Sequence, residues 1–260
     1  MSDLVYHPLR ARLLQVQRID ALSPRLRRIT LGGPALEGFV SPAPDDHVKL
    51  LFPARGEALP VLPSFGPQGV SYPEGAARPA ARDYTPRTFD PQRQTLTLDF
   101  VLHGDGPAST WAASAAVGDF LGVAGPRASR VVNPQAHTHW LLLGDETALP
   151  AIARWLEWLP PDRRVTVRVE VGSPSDRIAL PGHEGLDLAW VQRRPAPQGC
   201  ALLAAVCSLP LTPGYAWIAS ESAQMRGLRQ HLLSERGWPR EHLHAAGYWK
   251  RGKADHDDEH

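Results

Sequence analysis

The 260-residue chain is 43% hydrophobic and 21% charged, a globular balance with enough length to bury a core without disulfides or a structural metal. A formal net charge of +1 argues against nucleic acid or any other polyelectrolyte as partner. The start MSDLVYHPLR lacks a signal-peptide pattern, no run of roughly 18 apolar residues occurs, and Cys200 and Cys207 fit reduced thiols; the expected location is the cytoplasm, without membrane insertion.

In chain order, the first half reads as β-structure. Short segments at Leu13 to Val16, Arg27 to Leu31, His47 to Phe52, Ala81 to Thr85 and Thr95 to Val101 are separated by Pro, Gly and Asp turns. The stretch from Pro53 to Pro79 reads as a long surface loop. Gly106-Pro107-Ala108-Ser109 opens a helix that stops at Gly118. After Asn133-Pro134 the pattern changes. An apolar run from His139 to Leu143 leads into a helix with Leu149, Ile152, Leu156 and Leu159 on one face, ended by Pro160-Pro161. Strands are expected at Val165 to Val171, Asp187 to Val191, Tyr215 to Ala219 and His244 to Trp249, with a helix from Ser222 to Glu235. The expected fold is α/β with two domains: an antiparallel β-barrel over residues 1–134 and a parallel-sheet domain over 135–252. Residues 253–260, KADHDDEH, form a polar tail expected to be disordered.

Two segments of the barrel half carry chemistry. In Arg82-Asp83-Tyr84-Thr85-Pro86-Arg87, two cations flank an aromatic and a hydroxyl. A flavin asks for a flat apolar contact, a hydrogen-bond partner at its ring and cations for its phosphates. An edge strand with ordinary surface arginines has the same composition. In His103-Gly104-Asp105-Gly106-Pro107-Ala108-Ser109, a glycine-bearing turn meets a helix start. Free N–H groups there favour a pyrophosphate, and Ser109 adds a hydroxyl donor. A capped helix without ligand reads alike.

In the second half, Gly144-Asp145-Glu146-Thr147-Ala148 follows a strand and opens a helix, the place of a nucleotide-binding turn. It lacks Gly-x-Gly-x-x-Gly spacing, and its carboxylates stand where a pyrophosphate would sit. Ser220-Glu221 occupies another strand end, as a nicotinamide contact or a helix cap. Of the 28 lysines and arginines, only Lys49, Lys250 and Lys253 are lysines. His137/His139 and His242/His244 form His-x-His pairs without cysteine or clustered carboxylate partners, so no metal site is expected.

RDYTPR, HGDGPASTWA, GDFLGVAGPRAS, GDETALPAI, the Ser-Glu strand end and GYWKRG, in this order, resemble the siderophore-interacting proteins, a branch of the ferredoxin-reductase-like flavoproteins. The resemblance spans Leu13 to Gly252. It implies FAD on Arg82, Tyr84, Thr85, Arg87 and Gly106, Pro107, Ala108 and Ser109, with His103 near the adenine half or the ribose. It implies NADPH or NADH at Asp145, Thr147, Ala148, Ser220 and Glu221; Arg177, Arg193 and Arg194 are candidates to meet a 2′-phosphate. The implied activity is electron transfer from the nicotinamide through FAD to a ferric siderophore, anionic and catecholate-like, attracted by Lys49, Arg130, Lys250 and Arg251. A ferredoxin as protein partner, or a binding module without catalysis, are the rival readings.

Overall fold

The computed structural model describes residues 2–193 and 200–252. The chain divides between Val131 and Val132 into two units, each with its own hydrophobic core. Arg194 and the 253–260 tail lie outside the described residues.

The first unit begins with β1 (Ser2–Tyr6), β2 (Ala11–Ser23), β3 (Leu26–Gly32) and β4 (Val48–Leu51). It continues through a small hairpin of β5 (Ser64–Gly66) and β6 (Gly69–Ser71) to β7 (Ala81–Tyr84), β8 (Pro86–Asp90) and β9 (Thr95–Val101). Helix α1 (Pro107–Ser114), β10 (Phe120–Ala124) and β11 (Ala128–Val132) complete it. Seven strands form one sheet in the order β7-β4-β10-β2-β3-β9-β8, and β1 pairs with β11 separately. The two edge strands, β7 and β8, are consecutive in sequence with only Thr85 between them. Adjacent Cα atoms are about 3.8 Å apart, so the sheet's two edges must meet. The antiparallel sheet therefore curls into a barrel, and its seam is crossed by Tyr84-Thr85-Pro86.

The strand expected to run to Thr85 ends at Tyr84, and Pro86 opens the next strand rather than ending one. Proline is tolerated there because a first strand residue need not donate an N–H. The barrel core holds Leu14, Ile29, Leu31, Leu50, Leu98 and Phe100, with Ala108 and Ala112 of α1 packed into it. The β5–β6 hairpin lies inside the stretch expected to be loop.

The second unit consists of β12 (His139–Asp145), α2 (Leu149–Trp158), β13 (Arg164–Val171), β14 (Leu186–Gln192), α3 (Cys200–Cys207), β15 (Tyr215–Glu221), α4 (Ser222–Gln230) and β16 (Leu243–Trp249). Its sheet is parallel, in the order β14-β13-β12-β15-β16. Every residue of β12 is buried, as expected for a central strand covered on both faces. The strand order reverses between β12 and β15, and ligands of such sheets bind outside the carboxyl ends of the strands at that point. Among the described residues, no helix is long and apolar enough to cross a membrane.

Candidate flavin and nucleotide sites

Register decides which side chains of the seam share a surface. Arg82 lies opposite Leu50 and Tyr84 opposite Val48. Directly opposed residues project from the same face, so Arg82 and Tyr84 stand on the side of buried Leu50 and Val48. Asp83 and Lys49, the intervening pair, project from the other face, where they form a salt bridge of 3.1 Å. The Tyr84 ring lies 4.6 Å from that of Phe100, which lies 5.6 Å from Trp111 on α1. An aromatic row thus links the seam to α1. Burial pushes the Tyr84 phenol above its usual range, with Arg82 pulling it partly back, so it stays neutral. Thr85 is buried, as is Arg87 at 8% exposure.

The start of α1 is open. Its N-cap is Gly106, no side chain caps it, and its first turn carries no acid. A Cβ at Gly104 or Gly106 would meet nothing within 4 Å. Ser109 Oγ accepts the His103 N–H at 2.9 Å, which folds the turn and leaves the hydroxyl proton as a donor. Ala108 packs its methyl into the core, so only its backbone is available to a ligand. His103 is exposed. Two arginines, an uncapped helix start and a neutral aromatic suit a flavin dinucleotide: cations and N–H groups for phosphates, a flat surface for a ring.

At the carboxyl end of the second sheet, Asp145 is 1% exposed. Its Oδ1 accepts from Thr147 N at 2.9 Å and Thr147 Oγ1 at 2.6 Å. Its Oδ2 accepts from Glu221 N at 3.0 Å and Trp249 Nε1 at 2.9 Å. Burial raises the carboxyl's proton affinity, while the Thr147 and Trp249 donors oppose that rise. One carboxylate therefore ties the ends of β12, β15 and β16 together, and its lone pairs are spent within the protein. Ala148 also lies inside the protein. It is fully buried, and a Cβ at Gly144 would come within 2.3 Å of its Cβ; its methyl packs helix against strand.

Glu221 is a helix cap: its Oε2 accepts from Ala223 N at 2.6 Å and Gln224 N at 3.1 Å. Ser220 is buried beside it. Arg193 is clamped by Glu146 at 2.6 Å and Glu170 at 2.9 Å. Hydrogen bonds and charge from Glu146 outweigh desolvation and hold its guanidinium above the usual range. It is not free to read a 2′-phosphate, whereas Arg177 is exposed. Trp249, Glu146 and Glu170 carry this network, and local sequence gave no signal for them because their partners lie far along the chain.

The four expected substrate cations divide between the units: Lys49 and Arg130 in the first, Lys250 and Arg251 in the second. Lys49 is partly neutralised by Asp83; Arg130 and Lys250 are half-buried and Arg251 is exposed. The backbone N–H of Arg251 donates to Glu221 Oε1 at 3.4 Å. Of the two His-x-His pairs, His137 meets His242 with ring centroids 4.5 Å apart. His139 is instead held by Thr212 O at 2.9 Å and Thr166 Oγ1 at 3.0 Å.

Residues 15–130 match the siderophore-interacting FAD-binding domain, and residues 137–252 match the siderophore-interacting protein domain. The chain belongs to the siderophore-interacting protein family. It is 37% identical to the NADPH-dependent ferric-chelate reductase of Escherichia coli, covering 94% of this chain and 95% of that one. It is 33% identical to a ferric vibriobactin reductase of Vibrio cholerae, covering 96% and 94%. The crystal structure of a siderophore utilization protein from T. fusca superposes with a TM-score of 0.90 at 38% identity, covering 99% of both chains.

Proposed function

We propose that this protein is an NAD(P)H-dependent, FAD-containing ferric-siderophore reductase that releases Fe(II) for iron assimilation. The observation that carries it is the full-length match to a ferric-chelate reductase, in a chain whose barrel seam and uncapped α1 start suit FAD. When bound, FAD supplies a carrier that takes two electrons from a nicotinamide and passes them singly to iron.

In this reading the protein's own residues bind and orient. Arg82, Arg87 and the N–H groups from Gly106 to Ser109 hold the FAD phosphates. Tyr84 and Thr85 meet the ring, and His103 lies at the adenine half or the ribose. Thr147 and Ser220 line the nicotinamide's place at the strand ends, while Asp145, Ala148 and Glu221 set the shape of those ends. Lys49, Arg130, Lys250 and Arg251 attract an anionic ferric siderophore of the catecholate type. No proton need be held for the iron step, because the siderophore supplies the iron's oxygen ligands.

A nicotinamide as donor is favoured over a ferredoxin by the E. coli relative's name, and the cytoplasm is the compartment where such a donor is plentiful. The test is steady-state oxidation of NADPH and NADH by the purified protein with a ferric catecholate, using a colorimetric Fe(II) trap. Fe(II) should form in a two-to-one ratio with nicotinamide oxidised. Nicotinamide oxidation without Fe(II), or none at all, contradicts the proposal.

A further inference from the structure

A second basic site sits in the barrel unit, apart from the flavin segment. A cavity of about 90 Å³ is lined by His7, Arg10, Arg12, Gly38, Gly125 and Pro126 among others, and among the described residues no acidic one lines it. Arg12 is the unusual member, at 5% exposure. Its Nε donates to Ala35 O and its Nη1 to Gly125 O, both at 3.0 Å. Its guanidinium carbon lies 5.2 Å from the Phe39 ring centroid.

Carbonyls and a ring face are dipole partners, not counter-charges. Among the described residues neither Arg10 nor Arg12 forms a salt bridge, and Arg12 Nη2 donates to no protein atom. Burial and the nearby Arg10 charge both lower the proton affinity of Arg12. Buried charges in proteins are ordinarily paired. The imidazole of His7 is fixed at the rim by Ser129 Oγ at 2.8 Å.

The site lies three strands along the sheet from the flavin segment. Arg12 lies opposite Val123, Val123 opposite Leu50, and Leu50 opposite Arg82. Three strand spacings at ~4.8 Å place Arg12 roughly 14 Å from Arg82 along the sheet. The cavity is several times the ~10–15 Å³ that one water needs, yet far too small for a dinucleotide or a siderophore.

We propose that this cavity binds a small oxyanion, a carboxylate or a phosphate group, which supplies the counter-charge for Arg12 and Arg10. A guanidinium fork matches the paired oxygens of either group, and the His7 ring lines the same cavity. The inference does not depend on the reductase reading.

The test is isothermal titration of the flavin-loaded protein with inorganic phosphate and with acetate, against chloride at matched ionic strength. At least one oxyanion should bind saturably, and chloride should not. Phosphate binding alone assigns a phosphate group; acetate binding assigns a carboxylate. Arg10→Gln, at an exposed position outside the flavin segment, should weaken the binding about tenfold, the worth of one charge-assisted hydrogen bond. Its flavin content and ferric-chelate reduction should match wild type. Absence of saturable oxyanion binding, or equal affinity in wild type and Arg10→Gln, overturns the proposal.

Discussion

Arg87 and Arg82 flank the same seam but sit differently, with Arg87 buried and Arg82 half-buried. A charge-assisted bond from a buried guanidinium is screened less by water. Arg87→Ala should therefore weaken FAD binding by about 1.5–3 kcal/mol, and Arg82→Ala by less, as read by fluorescence titration of the apoprotein. Equal affinities in the two variants would remove Arg87 from the phosphate site. His139 offers a pH test. Burial holds its imidazole below the usual range, opposed by the Thr212 carbonyl and reinforced by Arg164. The unfolded chain then binds a proton that the folded chain refuses. The stability this contributes is present above the unfolded value of about 6.5 and is lost as pH falls through it. The unfolding free energy from urea titrations should drop between pH 7.5 and 5.5, by at most about 1.4 kcal/mol per pH unit for this one group. His139→Gln should flatten part of that slope; an unchanged slope would contradict the assignment. What sequence could not reveal at this scale is pairing through space. Asp145 and Trp249 are 104 residues apart, and the Lys49–Asp83 bridge depends on a register that only the folded sheet fixes.

Among the elements, β12 and α1 make opposite demands on glycine. Gly144 sits where a Cβ would press on Ala148 and on Ala219 O at 2.8 Å. Gly144→Ala should destabilise the second unit by about 1–3 kcal/mol through overpacking, measured by chemical denaturation. Gly106 faces open space, so Gly106→Ala should change stability by no more than ~0.5 kcal/mol while lowering FAD affinity. A loss of stability there with FAD affinity intact would mean that no ligand approaches the α1 start. Strands β2, β3, β4, β7 and β9 of the first unit and all five of the second were legible because their apolar runs are bounded by Pro and Gly. Strands β1, β5, β6, β8, β10 and β11 were not, and neither was helix α3. Helix α3, CALLAAVC, is apolar on all sides and so has no helical periodicity to read. Pro86 looked like a strand end, yet in an edge strand its missing N–H costs nothing.

At the scale of the whole molecule, both halves of the architecture were readable from the change in pattern near Asn133. The ordered motifs pointed to the family that the comparisons support. The substrate cations were chosen by charge alone, and Lys49 proved to be partnered. Lys250→Ala and Arg130→Ala should still raise the Michaelis constant for an anionic ferric siderophore while leaving flavin content unchanged. Added salt should do the same in wild type, since exposed charges are screened over roughly 8–10 Å. A neutral ferric chelate should feel neither change; equal effects on both chelates would dismiss the cationic attraction.

Anaerobic stopped-flow absorbance tests the proposed electron path most directly. The purified yellow protein is mixed with NADPH or NADH, then with a ferric catecholate siderophore or with an oxidised ferredoxin. A ferric-siderophore reductase bleaches with nicotinamide and regains its flavin absorbance on meeting the ferric siderophore, with Fe(II) released. Recovery with ferredoxin but not with any ferric siderophore, or protein that takes up no FAD, would contradict it.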